Sequence, residues 1–255
     1  GTPDARYIDL FKVKYDYHNV KALLKAEAVG TAPDRMLMDM GRVSTAELAE
    51  AVRSRELDGL PETLAAAVAE AREVLDTTRD PQLSDIVLDR WCYRDMAALA
   101  EETGSAFLRG YVAVQVDAVN LRTAVRTLRM GKGADFLLGA LLEGGDLAPD
   151  AVAKAASSGA AGLRELYGAT RFRDAAEAGA EALKGGPLTA FEKLCDDAVG
   201  DYLAGAQSVP FGEAPLVSYL AARETEYTNL RILLMGRAAG IDPAVIRTRL
   251  RASYV

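Results

Sequence analysis

One nine-residue pattern occurs three times in this chain, and its recurrence limits the fold more than any other feature. It reads Asp16-Tyr17-His18-Asn19-Val20-Lys21-Ala22-Leu23-Leu24, then Asp117-Ala118-Val119-Asn120-Leu121-Arg122-Thr123-Ala124-Val125, then Glu226-Tyr227-Thr228-Asn229-Leu230-Arg231-Ile232-Leu233-Leu234. Each copy sets an acid three residues before an asparagine, an aliphatic residue directly after it and a base one further on. Gly30, Gly131 and Gly240 stand eleven residues beyond the asparagines, about three helical turns. Glycine there ends a helix by taking the left-handed conformation. The asparagines lie 101 and then 109 residues apart, too far for solenoid units of roughly 20–50 residues. Three related helical lobes are implied.

The rest of the chain reads as helix throughout. Alanine, leucine, glutamate and arginine dominate, and apolar residues recur three and four apart between proline-marked starts. Those starts are Thr2-Pro3-Asp4, Ala32-Pro33-Asp34, Leu60-Pro61-Glu62, Asp80-Pro81-Gln82, Ala148-Pro149-Asp150, Gly186-Pro187-Leu188 and Asp242-Pro243-Ala244. Proline suits the first helical position because its missing N–H would be unpaired there anyway. Ser44-Thr45-Ala46-Glu47 reads as a capping box. Only Tyr111 to Val116 is β-branched enough to be ambiguous. Upstream of the second and third copies lie Leu88-Asp89-Arg90-Trp91-Cys92 and Phe191-Glu192-Lys193-Leu194-Cys195, so the two cysteines take equivalent repeat positions. On that phase the lobes span 1–78, 79–183 and 184–255, and the first, without an upstream cysteine helix, is N-terminally incomplete. The small-residue stretch Ala155 to Gly162 aligns with neither other lobe and offers a flexible joint.

Within each motif helix, positions 0, +4, +7 and +11 from the asparagine share a face. An amide buried on that face must find partners. Asn19, Asn120 and Asn229 are therefore expected to satisfy backbone groups inside their own lobes, the alternative being a polar ring that seats a partner. Asp16, Asp117 and Glu226, with Lys21, Arg122 and Arg231, complete that candidate set. The bases point away from the asparagine face, where they stay solvated or meet an acid.

No constellation for catalysis is evident. With 30 Lys+Arg against 37 Asp+Glu the net charge is -7, the reverse of a nucleic-acid binder. Arg247, Arg249 and Arg251 cluster near the C-terminus and read as a solvated helix face. Two cysteines cannot form a disulfide framework, and one histidine, His18, excludes most zinc sites. Gly131-Lys132-Gly133-Ala134-Asp135-Phe136 opens like a dinucleotide fingerprint but has Phe136 where the last glycine belongs and a helix in front of it. Asp196-Asp197-Ala198-Val199-Gly200-Asp201 resembles the magnesium-diphosphate motif of helical prenyl-diphosphate enzymes, with Asp201 one residue late. No apolar run approaches the ~18–20 residues of a membrane helix.

The segments Tyr15 to Ala26, Tyr111 to Arg126 and Glu226 to Leu250 resemble the C subunit of bacterial and archaeal V/A-type rotary ATPases, the counterpart of the eukaryotic d subunit. The resemblance runs along essentially the whole chain. It implies an all-helical, funnel-like protein of three pseudo-symmetric lobes, without catalysis or cofactor. Such a protein sits on the cytoplasmic face of the membrane proteolipid ring, peripheral to the membrane, and receives the rotor shaft, coupling both for proton or sodium transport. Outside this resemblance, the alternatives are an unrelated helical adaptor or a magnesium-dependent enzyme using Asp196 and Asp197.

Overall fold

A computed structural model describes residues 4–33, 36–206, 209 and 212–252. Among the described residues the regular structure is entirely helical, in twelve elements: α1 (Ala5–Val29), α2 (Thr45–Ser54), α3 (Glu62–Thr78), α4 (Pro81–Thr103), α5 (Ala106–Arg129), α6 (Ala134–Ala140), α7 (Pro149–Ser157), α8 (Gly159–Tyr167), α9 (Arg173–Leu183), α10 (Thr189–Ala204), α11 (Ala214–Ala238) and α12 (Pro243–Arg249). Tyr111 to Val116 lies inside α5, where tertiary burial on both faces overrides its β-branched character.

The helix starts follow local chemistry. Asp80 and Asp242 accept hydrogen bonds from the backbone N–H of Gln82 and Ala244 while Pro81 and Pro243 take the first helical position. Ser44 and Glu47 form the reciprocal capping box. Pro61 takes the cap position itself, and α10 begins two residues after Pro187. Thr2, Pro3 and Asp34 lie outside the described residues.

The three glycine stops share one geometry. Gly30, Gly131 and Gly240 have φ of 71°, 66° and 66°. In each, the glycine N–H donates three residues back and the next N–H donates five residues back, to Ala26, Thr127 and Gly236 respectively. That is the Schellman pattern, which satisfies helix-end carbonyls.

The chain divides into two compact units, Gly1–Ser105 and Ala106–Val255. In the first, α3 and α4 pack as neighbours and α4 also lies along α1. Residue 78, the expected lobe limit, falls at the short turn between α3 and α4. Leu88 and Cys92 of α4 and Val13, Tyr17, Val20 and Leu24 of α1 are buried at three- and four-residue spacing. In the second unit α5 packs against α7, α9 and α10 around Leu121, Val125, Tyr167, Phe172, Phe191 and Cys195. The α7–α8 junction is close-packed rather than a loose joint: Gly159 has φ of 67°, and a Cβ on Gly162 would lie 2.1 Å from the Ala155 carbonyl oxygen. Ala156 and Leu163 on either side are buried.

Each cysteine helix lies on the asparagine helix that precedes it, α4 on α1 and α10 on α5.

Candidate functional site

Each motif asparagine clamps one residue of the backbone that follows its own helix. Asn19 donates from Nδ2 to the Met38 carbonyl at 2.8 Å and accepts at Oδ1 from the Met38 N–H at 2.9 Å. Asn120 does the same with Leu142, both at 2.8 Å. Asn229 repeats it with Arg251, at 3.1 and 2.8 Å. A carboxamide carries donor and acceptor side by side, so it can mimic a peptide edge and hold both groups of one residue. The clamp sends the chain back along the helix it has just left.

The acids hold the same returning segment in the first two copies. Asp16 accepts from the N–H of Arg42 and Val43 through Oδ1, and from Arg42 Nε through Oδ2 at 2.8 Å. Asp117 accepts from the N–H of Asp146 and Leu147 at 3.1 and 3.2 Å. The residue before each loop pair is glycine for a steric reason: a Cβ would lie 2.0 Å from Asp16 Oδ1 at Gly41 and 2.2 Å from Asp117 Oδ1 at Gly145. Glu226 instead faces solvent and pairs with Arg223 one turn back.

The bases of the first two copies meet acids on the cysteine helices. Lys21 reaches Asp89 at 2.5 Å. Arg122 pairs with Glu192 at 3.0 Å and with Asp196. Asp196 also takes Arg251 Nε at 2.5 Å, so one carboxylate joins the second and third motifs. Asp197 is held by Lys193 and the Ala252 N–H. The two carboxylates considered for magnesium are thus committed to internal cations and backbone. Among the described residues no group of three or more His, Cys, Asp or Glu side chains is placed to hold a metal ion.

Two groups that matter here lie outside the acid, asparagine and base positions that recur in the motif. Arg42 lies in a loop, where no periodicity marks it, yet it spans Asp16 and Asp95, the latter at 2.6 Å. Burial lowers its basicity, but the two carboxylates outweigh that and hold it above its ordinary value. Tyr17 donates to Asp95 at 3.2 Å, and burial pushes its phenol up, with Asp95 adding to the effect. For Arg42 the signal in the sequence is the correspondence of Gly41-Arg42-Val43 with Gly145-Asp146-Leu147, because a glycine recurring downstream of each motif acid indicates a close approach to it.

That correspondence also exposes an electrostatic difference. Where the first copy has Arg42, the second has Asp146. Burial lifts the Asp117 carboxyl from 3.8 to about 6, against the two backbone N–H groups that favour the charged form. A carboxyl raised in the folded state contributes stability below its unfolded value and loses it as pH rises through about 6. In paired urea titrations, the advantage of the parent over Asp117→Asn should therefore shrink by roughly 1–3 kcal/mol between about pH 4 and 7.5, since each pH unit separating folded and unfolded values is worth ~1.4 kcal/mol. A constant difference would show that burial leaves the Asp117 carboxyl at its unfolded value.

The other sequence candidates have ordinary places. His18 is exposed, its Nε2 3.0 Å from the Met36 carbonyl. Gly131-Lys132-Gly133 links α5 to α6, with Lys132 over the Phe136 ring at 4.3 Å. Cys92 and Cys195 are free and buried, and burial pushes both thiols up to about 12. Arg247 is exposed, whereas Arg251 is drawn into the Asp196 pair. No described helix is long and apolar enough to cross a membrane.

The clamps recur along nearly the whole chain, and so does its similarity to one family. The model of the ATP synthase (C/AC39) subunit family matches residues 1–249. The chain belongs to that family. Among relatives in it, the C subunit of the V-type sodium ATPase of Enterococcus hirae is 25% identical over 100% of this chain and 77% of its own length. The C subunit of the V-type ATP synthase of Thermus thermophilus is 28% identical over 94% of this chain and 72% of its own. The C subunit of the A-type ATP synthase of Haloferax volcanii is 27% identical, covering 97% and 75%. Family members of both V and A type thus match along nearly the whole chain.

Proposed function

We propose that this protein is the central-stalk connector of a V/A-type ATPase, joining the rotor shaft to the membrane proteolipid ring. It passes torque between them during ATP-driven or ATP-forming ion transport and catalyses nothing itself. Family membership over residues 1–249 carries this reading. The internal economy of the motifs supports it: all three asparagines and the first two acids brace helices against the loops that follow them, and the first two bases tie those helices to a neighbouring helix, as a stiff mechanical spacer requires. The three-lobe organisation and the funnel arrangement belong to the same proposal, each lobe opening on an asparagine helix at α1, α5 and α11. The motif residues, Asp16 to Lys21, Asp117 to Arg122 and Glu226 to Arg231, then serve partner seating indirectly, by fixing the lobes that present the surfaces. The partners are shaft subunits and ring, and the place is the cytoplasmic side, peripheral to the membrane.

The test is reconstitution. Ring-bearing membranes and shaft subunits from a preparation depleted of this protein should hydrolyse ATP without moving ions, and adding the protein should restore coupling. Full coupling without it would sink the assignment.

A further inference from the structure

The first two motifs hold the same buried acid in opposite electrostatic settings. Asp16 and Asp117 are 0% and 3% exposed, and each accepts from two N–H groups of the loop that returns over it. Beside Asp16 stands Arg42, which also pairs with Asp95, and Asp95 takes the Tyr17 hydroxyl. All three of these partners are exchanged in the second copy. Asp146 stands for Arg42, Ala118 for Tyr17, and Ala198 for Asp95, three residues after its cysteine as Asp95 is after Cys92. Asp117 keeps only its two backbone bonds, at 3.1 and 3.2 Å, and among the described residues no cation bonds to it. The loop brings a second acid, Asp146, to bear on it. From α8 comes Tyr167, fully buried, whose hydroxyl has no partner among the described residues, and from α10 comes Cys195 near that tyrosine. No charged group of α6, α7 or α9 acts on Asp117 among the described residues. With 3% of its surface exposed, the acid is enclosed by these residues themselves.

We propose that Asp117 is a proton-operated latch on the loop 145–147: with its proton on, the acid keeps the loop seated on α5, and with its proton off the loop lifts far more often. The cause is desolvation. An enclosed carboxylate without a cation is costly, and two backbone N–H groups offset only part of that cost. Gly145 brings the backbone so close that a Cβ would stand 2.2 Å from Oδ1, which leaves no room for water while the loop is seated. Lifting the loop lets water reach the carboxylate, and the proton it has lost passes to that water. The neutral acid carries no such penalty, and its oxygens still accept from the Asp146 and Leu147 N–H groups. Burial sets the carboxyl at about 6, with Asp146 adding to the effect, so the latch is shut in mild acid and loosens as pH rises through that value. The opening is local, and the Asn120 clamp on Leu142 and the α5 core stay shut. The latch stands apart from the assignment to a rotary ATPase, because it rests on the internal comparison alone.

Amide hydrogen exchange of the 255-residue protein, corrected at each pH for the intrinsic rate, reads the latch residue by residue. Protection at Asp146 and Leu147 should fall roughly 30- to 100-fold between about pH 4 and 7.5, since each unit between the exposed value of 3.8 and the enclosed value of about 6 is worth tenfold. The Arg42 and Val43 amides, held by an acid with a guanidinium beside it, should not lose protection over the same span. Asp117→Asn removes the titrating group and should flatten the response of Asp146 and Leu147. Asp146→Arg restores the cation of the first copy at an exposed position. It should flatten the response too, and raise protection at Leu147 by about tenfold or more at neutral pH. Circular dichroism checks that both variants keep their fold. Unchanging protection in the parent would overturn the proposal, as would a fall that survives either substitution. An equal fall in every α5 amide would overturn it as well, because the unit would then open as a whole and no latch would exist.

Discussion

Asp16→Ala should be the most damaging single substitution in the first unit, costing ~3–5 kcal/mol. Asp16 is fully buried and accepts from two backbone N–H groups and from Arg42. Its removal leaves Arg42, itself mostly buried, with Asp95 alone, and orphans the N–H of Val43. Breaking a buried ion pair from one side is costly because the remaining charge stays desolvated, about 3–5 kcal/mol in measured cases. The same position in the third copy supplies the control. Glu226 is exposed and pairs with Arg223 on its own helix, so Glu226→Ala should leave the stability of the second unit, read by hydrogen exchange of its α5 amides, where it was. Trp91, the single tryptophan, lies in α4 of the first unit, packed with α1, and its indole N–H donates to Glu70 at 2.7 Å. Its fluorescence therefore reports the right unit. In urea the midpoint should fall by roughly 1.5–2.5 M, taking a slope of about 2 kcal/mol/M. A loss below about 1 kcal/mol would show that Arg42 and the loop find other partners, as exposed ion pairs do.

That contrast between Asp16 and Glu226 also marks how far the sequence could be read. The motif copies, their glycine stops and the capping box at Ser44 are local, so spacing alone placed them. Gly30, Gly131 and Gly240 end their helices with the same pair of hydrogen bonds because eleven residues from the asparagine is a matter of helical pitch. Which helix covers which is not local. Periodicity showed that Leu88 and Cys92 face a neighbour, and it could not say whether that neighbour comes before or after them in the chain. The short turn between α3 and α4 decided it, by folding α4 back beside α3 and onto α1. Arg42 was invisible for a related reason: a loop has no period, and its charge acquires meaning only once Asp16 and Asp95 from two helices converge on it. The bases showed the reverse case. Lys21 and Arg122 were expected to stay solvated or meet an acid, and the acids they meet sit on the very helices whose placement the spacing left open.

Asn120→Ala should be the counterpart in the second unit, at ~2–6 kcal/mol. Asn120 is fully buried, and Leu142, whose N–H and carbonyl it holds at 2.8 Å each, is buried as well. Alanine leaves both backbone groups without the partners they have here, at about 1–3 kcal/mol for each buried polar group left unpaired. Two further variants separate the contributions: Asn120→Asp keeps an acceptor for the Leu142 N–H but sets a carboxylate against the Leu142 carbonyl, and Asn120→Leu fills the volume while providing neither bond. All three variants should destabilise, with aspartate no better than alanine at neutral pH, because repulsion between two acceptors cancels the bond retained. The readout is hydrogen exchange of α5 amides, which opens with the second unit. Asn229→Ala removes the same two bonds from a half-buried residue, where water can replace them, and should cost less than about half as much. Equal losses at Asn120 and Asn229 would mean that the clamp acts through chain geometry and not through desolvation, and the ranking of the three motif helices by burial would then lose its physical basis.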